Sequence, residues 1–242
     1  MAILVMSDIH ANLTALEAVL ADAGEVESVW CLGDLVGYGP DPNECINRVR
    51  ILPGLVCLIG NHDAAAVERI DINAFNAEAR VSIEWQQHAL TEESMVFLRD
   101  LPEKVVVGQM TMAHGSPRNP VWEYILDGRI ARRNFEYFDT PYCVVGHTHV
   151  PFYFHLNAEN QGIQLRLLDA GERLVLEPRS LLNPGSVGQP RDRDPRASYA
   201  IYFPDQGIWE ARRVVYDIAS VQGRIRDAGL PIRHALRLAD GW

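Results

Sequence analysis

The chain has 242 residues, 48% of them hydrophobic and 22% charged, with a formal net charge of −10. This is enough chain for one large domain with a buried core, and the balance is that of an ordinary globular protein rather than a disordered one. The acidic charge excludes an extended nucleic-acid surface, because phosphate backbones are bound through basic stripes.

No apolar run approaches the ~18 residues needed to span a bilayer. The opening Met1-Ala2-Ile3-Leu4-Val5-Met6-Ser7-Asp8 lacks the basic segment of a signal peptide. A cytoplasmic location without a membrane partner is therefore expected. Cys31, Cys45, Cys57 and Cys143 form no C-x-x-C pair and are expected to be buried, reduced thiols.

In chain order, Ala2 to Ser7 reads as a strand, and Asn12 to Ala23 as an amphipathic helix with Leu13, Leu16, Val19 and Leu20 at helical spacing. Glu25 to Leu32 is a second strand, ending at Gly33-Asp34. The loop Gly37-Tyr38-Gly39-Pro40-Asp41-Pro42 leads to a helix over Asn43 to Arg50. Leu55 to Ile59 is a third strand, ending at Gly60-Asn61-His62-Asp63. Helices follow over Asn76 to Leu90 and Glu92 to Leu101.

From Lys104 the texture changes to short strands and turns. Val105–Val107 and Met110–Ala113 flank Gly108-Gln109 as a hairpin. Tyr142 to Val145 and Phe152 to Leu156 flank Gly146-His147-Thr148-His149. Leu165 to Leu168, Leu174 to Leu176, Ser180 to Leu182, Ser198 to Phe203 and Ile208 to Val215 are further strands, and a helical region begins near Asp217. Strand–helix units followed by a run of strands predict an α+β fold of two packed sheets with helices outside. No linker divides the chain, so residues 1–242 read as a single domain.

Asp8 and His10, Asp34, Asn61 and His62, His114, and His147 and His149 all sit where an apolar run gives way to a loop. Loops beyond the strands' carboxyl ends are where ligands bind in open α/β sheets. Eight residues of metal-ligand or acid–base type therefore converge on one rim if the strands lie side by side. In Gly146-His147-Thr148-His149, two imidazoles two residues apart in extended chain point the same way.

Taken together, Asp8-Ile9-His10, Gly33-Asp34, Gly60-Asn61-His62-Asp63, His114-Gly115 and Gly146-His147-Thr148-His149 resemble the complete signature of the calcineurin-like metallophosphoesterases. Gly33 to Pro40 and Asn183 to Arg191 are similar to the small prokaryotic phosphodiesterase, or diadenosine-tetraphosphatase-like, branch. The resemblance implies a four-layer αββα sandwich. It also implies hydrolysis of a phosphate ester by in-line attack of a hydroxide bridging two metals.

By resemblance Asp8, His10 and His149 would hold one metal and Asn61, His114 and His147 the other, with Asp34 bridging. The mixed N/O donors suit Mn first, then Fe, Zn, Co or Ni, and are too nitrogen-rich to favour Mg or Ca. His62 is implied as the group meeting the leaving oxygen. Asp63 either orients His62 or caps the helix that follows. Asn12, Tyr38 and Arg118 are candidate substrate contacts. Asn183 and Ser186 are expected to fix the loop beside the ligands, more through backbone than side chain. Arg191, in the charge run Arg191-Asp192-Arg193-Asp194, is expected in a solvated loop.

The expected partner is a small phosphate-ester substrate, and a homo-oligomer is compatible with the sequence. The nearest rival enzyme is a dinucleoside-tetraphosphate hydrolase. A rival of another class is a non-catalytic scaffold, the role of the retromer's small sorting subunit, which has this fold. The complete ligand set argues against it.

Overall fold

The alternation of side chains along each strand decides how its two faces are covered. In β1 (Ile3–Met6), Ile3 and Val5 belong to one buried cluster and Leu4 and Met6 to another. A strand apolar on both faces must be covered on both. The computed structural model describes residues 1–157, 159 and 162–242, and it satisfies this demand with two sheets packed face to face and helices outside.

The first half of the chain contributes β1, α1 (Leu13–Ala23), β2 (Ser28–Cys31), α2 (Pro42–Val49), β3 (Val56–Cys57), α3 (Asn61–Ala66), α4 (Ala77–Ala89) and α5 (Glu92–Arg99). The hairpin β4 (Lys104–Val107) and β5 (Met110–Ala113) follows, then α6 (Gly128–Asn134), β6 (Tyr142–Val144), β7 (Phe152–Leu156), β8 (Ile163–Leu167) and β9 (Arg173–Val175). The chain continues through β10 (Ser180–Asn183), β11 (Ala197–Phe203), β12 (Ile208–Val214), α7 (Ile218–Asp227) and α8 (Ile232–Asp240).

One sheet runs β3-β2-β1-β11-β12-β9 and the other β4-β5-β6-β10-β7-β8. Both are mixed. β1 pairs in parallel with β2 and antiparallel with β11, while β6 pairs in parallel with β5 and β10. Ile3, Val5, Trp30, Met112, Val144 and Leu182 meet between the sheets. Leu4, Met6 and Val29 face outward onto Leu16 and Val19 of α1 and Ile46 of α2. The far face of the second sheet, with Cys143, Phe154 and Leu181, is covered by Ala131, Phe135 and Phe138 at α6. These are the two packed sheets with helices outside that the pattern predicts, and the four-layer α+β sandwich that the resemblance implies.

Several boundaries differ from expectation for local reasons. α2 begins at Pro42 because a proline at the first helical turn needs no N–H partner. β3 shrinks to Val56–Cys57, since Ile59 N–H turns aside to bond Pro102 O. β8 begins at Ile163, two residues before the predicted strand. The short helix α6 is absent from the sequence reading, its Arg-rich stretch carrying little apolar periodicity. The Gly108-Gln109 hairpin forms as predicted, with Val107 opposite Met110 and Gly108 at φ 55°. All four cysteines are buried and free. Among the described residues no helix is long and apolar enough to cross a membrane.

Candidate metal centre

The rim is built because parallel strands keep their loops in step beyond the last ladder bond. β1 and β2 end together at Met6 and Cys31. The chains then stay joined through Asp8 N–H to Gly33 O at 3.0 Å and His10 N–H to Asp34 O at 2.9 Å. On the second sheet Gly146 N–H bonds His114 O at 2.8 Å, which aligns the loops after β5 and β6. Asp8 Oδ2 accepts from His147 N–H at 3.1 Å, so the two sheets meet at this point.

Turning each side chain inward takes unusual backbone. Asp8, His10, Asp34, His147 and His149 all have φ between 50° and 66°, a region that non-glycine residues seldom occupy. Five residues held this way in one spot mark a site where strain is tolerated for placement. Glycine secures the closest approach: a Cβ on Gly60 would lie 2.0 Å from Asp34 Oδ1.

Asp8, His10, Asp34, Asn61, His114, His147 and His149 converge here, each at most 3% exposed. Asp8, His10 and His149 form one cluster of ligand atoms, and Asp34, His114 and His147 another. Asp34 Oδ2 lies 3.6 Å from His10 Nε2 and 3.4 Å from His114 Nε2, and so stands between the two. Asn61 Oδ1 joins the second cluster, 3.1 Å from His114 Nε2. His62 also clusters with His10 and Asp34, closer to the ligand set than the resemblance implied.

The tautomers test whether a cation fits. His10 Nδ1 faces Val36 O at 3.0 Å, His114 Nδ1 faces Leu32 O at 3.0 Å, and His149 Nδ1 faces Gln189 O at 2.5 Å. A carbonyl can only accept, so each Nδ1 carries a proton; the neutral rings of His10 and His149 aim an Nε2 lone pair at the centre, and His114 presents its Nε2 there beside Asp34. Yet His10 Nε2 and His149 Nε2 are 3.1 Å apart, and His114 Nε2 lies 3.2 Å from His147 Nδ1. Asp8 Oδ1 and Asp34 Oδ2 are buried with no hydrogen-bond partner among the described residues. Lone pairs and carboxylate oxygens converging without donors repel one another unless positive charge lies among them. The donor set fits divalent metal.

The titration directions agree. Burial pushes the Asp8 and Asp34 carboxyls up, but the imidazoles of His149 and His114 hold both well below the usual carboxylate range. Burial alone would lower His114, and the Asp34 carboxylate beside it raises it instead to about 9. Burial depresses His10, His147 and His149. The pocket draws positive charge toward Asp34 while keeping most of its imidazoles neutral.

The calcineurin-like phosphoesterase superfamily domain matches residues 1–207 of the chain. The chain belongs to this superfamily. The crystal structure of a metallophosphoesterase from Sphaerobacter thermophilus is similar over 100% of this chain and 99% of its own, at 49% identity and a TM-score of 0.92. An uncharacterized protein of Methanocaldococcus jannaschii is 37% identical over 237 residues, 95% of this chain and 93% of that one. A symmetrical bis(5'-nucleosyl)-tetraphosphatase of Pectobacterium carotovorum is 39% identical over 62 residues, which is 24% of this chain and 22% of that enzyme.

Around the centre of this phosphoesterase domain, the remaining sequence candidates separate. Tyr38 belongs to the site: its hydroxyl is 3.0 Å from His62 Nε2. Asn12 caps α1 through Ala15 N–H and donates to Gly188 O, so both ends of its amide serve the loop rather than the cleft. Arg118 is held by Glu123, which also accepts from Ser116 and Asn134. This ion pair ties the loop together and occupies the guanidinium expected to meet substrate. Asp63 accepts from Val36 N–H and Gly60 N–H, both at 3.0 Å. Its two oxygens thus accept from backbone at the third position of α3, the placement of the helix-end reading.

Asn183 and Ser186 do fix the ligand loops, but through side chains. Asn183 Nδ2 donates to Gly146 O at 2.6 Å and Ser186 Oγ to Asp8 O at 2.9 Å. Arg191 departs most from expectation. Its Nη2 is 3.3 Å from the Tyr38 hydroxyl, and its guanidinium lies over the Tyr38 ring at 5.8 Å. The fold separates the charge run: Asp192 and Asp194 pair with Arg213, and Asp194 also with Arg196. No local signal in Arg191-Asp192-Arg193-Asp194 distinguishes the first arginine from the rest.

Proposed function

We propose that the chain hydrolyses esters of phosphate carried on small soluble molecules, with two divalent metal ions, Mn foremost, held by Asp8, His10, Asp34, Asn61, His114, His147 and His149. The observation that carries this reading is the position of Asp34 Oδ2, unpartnered and within 3.6 Å of an imidazole Nε2 on each side. Such ions supply an ionised water near neutral pH and charge to offset the phosphoryl oxygens.

The protein's own groups do the rest. His10, His114 and His149 are locked by backbone carbonyls, so their rings need no reorientation when substrate arrives. Burial holds His62 down to about 4, so it serves at neutral pH as a neutral ring. The Tyr38 hydroxyl accepts from Arg191 and is free to give its own hydrogen to His62 Nε2. That chain orients His62 for the leaving oxygen.

The local likeness to a tetraphosphatase supports a dinucleoside polyphosphate as the second candidate substrate. A scaffold reading is less favoured, because every ligand-type residue is present at the centre and three of its imidazoles are held by backbone carbonyls. The test is turnover of 4-nitrophenyl phosphate and bis(4-nitrophenyl) phosphate after chelation and after re-addition of Mn. Turnover should vanish on chelation, return with Mn and be absent in Asp34→Asn. Full turnover by chelated protein would overturn the reading.

A further inference from the structure

Beside the centre lies a cleft of about 470 Å³ whose lining includes Tyr38, Tyr124, Thr148, Arg191, Arg237 and Trp242. Two guanidiniums face it in a chain whose net charge is −10. Among the described residues neither Arg191 nor Arg237 is ion-paired with a carboxylate, and the buried Nε of each lacks a hydrogen-bond partner. The nearby acids are committed elsewhere: Glu78 pairs with Arg233, and Asp192 with Arg213. Two like charges left together without a carboxylate repel, and although Arg191 Nη2 meets the neutral oxygens of Tyr38 and Gln189, each guanidinium keeps N–H capacity for an anion.

Arg237 lies beyond the residues that the phosphoesterase domain matches. The family match ends at residue 207, whereas Arg237 lies on α8 and Trp242 just beyond it. The α7–α8 pair is anchored by Val221, Ile225, Leu230, Ala235 and Leu238, with Trp85 of α4 packed against them. His234 of α8 packs against the Tyr38 ring at 4.9 Å, which seats α8 directly over the site. Tyr124, stacked on His147 at 3.7 Å, gives the cleft an aromatic wall that reaches the metal centre.

We propose that Arg191 and Arg237 form a second anion site, and that the substrate is a nucleotide bearing a further phosphate beyond the one cleaved. Arg191 is one hydroxyl away from His62, so it bridges the reacting centre to this site. Arg237 then decides whether a second phosphate is held, and Tyr124 and Trp242, each with one face met by His147 and by Arg193 respectively, offer the other to a base. The substrate assignment rests on the hydrolase reading, but the anion site stands on its own and is tested by binding.

The experiment measures the calorimetric affinity of Mn-loaded protein for adenosine 5'-monophosphate, adenosine 5'-diphosphate and adenosine 3',5'-bisphosphate. At least one doubly phosphorylated ligand should bind about tenfold tighter than the monophosphate, the size of one charge-assisted contact. Arg237→Ala should abolish that ratio, and Arg237→Lys should restore part of it. The readout is a ratio, so a general loss of affinity cancels, and circular dichroism checks that each variant is folded. A ratio near one in the wild type, or one that survives in Arg237→Ala, overturns the anion site. Absence of turnover with the ratio intact would instead overturn the hydrolase reading.

Discussion

The Tyr38 hydroxyl stands 3.0 Å from Nε2 of His62, and that single oxygen also meets Arg191. Tyr38→Phe keeps the ring packed against His10 and His234 at 4.6 and 4.9 Å while removing the link. We expect kcat to fall about tenfold with little change in KM, as when an interaction made mainly in the transition state is lost. Steady-state kinetics on a chromogenic ester checks this, and a wild-type kcat would refute the orienting role.

Asp63 supports the site from behind. Its carboxylate, raised to about 7 by burial and by the charge of Asp34, caps Gly60 N–H and Val36 N–H. Asp63→Ala leaves two buried amides unpaired and should cost about 2–4 kcal/mol in urea unfolding. A loss below ~0.5 kcal/mol would mean that the two bonds contribute little to the native loop.

Gly146 has no room for a side chain. A Cβ there would sit 1.9 Å from Ser7 Oγ and 3.0 Å from Asp8 Oδ2. Gly146→Ala should lower stability by about 1–3 kcal/mol through overpacking. By displacing Asp8 it should also weaken Mn affinity by about tenfold or more. Gly223, inside α7 with nothing within 4 Å of a built Cβ, is the contrast. Gly223→Ala should stabilise by about 0.5–1 kcal/mol. Equal effects at the two glycines, read by thermal unfolding and metal titration, would contradict the packing argument.

Arg118 is expected to act on stability and not on substrate. Burial raises the Glu123 carboxyl, but hydrogen bonds from Arg118, Ser116 and Asn134 bring it down to about 2, from an ordinary value of 4.5. A carboxyl depressed in the folded state contributes stability that is complete above 4.5 and is lost as pH falls toward 2. Arg118→Ala should therefore lower stability at neutral pH by a small amount, as expected of a solvent-screened pair. That deficit should shrink through the same acid window. A large rise in KM with stability unchanged would return Arg118 to the substrate.

Much of the site could be read from local pattern. Asp8, Asp34, Asn61, His114, His147 and His149 each follow an apolar run, and a strand that must be buried delivers its next polar residue to the rim. The burial of strands on both faces was legible for the same reason, because Ile3 and Val5 alternate with Leu4 and Met6. Helix α6 was not, since Gly128–Asn134 carries little apolar period of its own and is placed by packing Ala131, with Phe135 and Phe138 just beyond it, against Phe152 and Phe154 of β7.

What lay beyond the sequence was the assignment of charges to partners. From sequence Arg118 is a candidate substrate contact and Arg191 part of a solvated charge run, and the fold exchanges their surroundings. Glu123 takes the first, five residues away, while the acids adjoining the second are drawn off by Arg213 and Arg196. Ion pairing depends on which carboxylates the folded chain brings within a few ångströms, and α8 reaches Tyr38 from nearly 200 residues further along the chain. The sequence by itself determined the donor atoms and their strand-end positions, because these follow from residue chemistry and hydrophobic period. Only the tertiary structure decided which cations stay unpaired, because that depends on distances between segments remote in the chain.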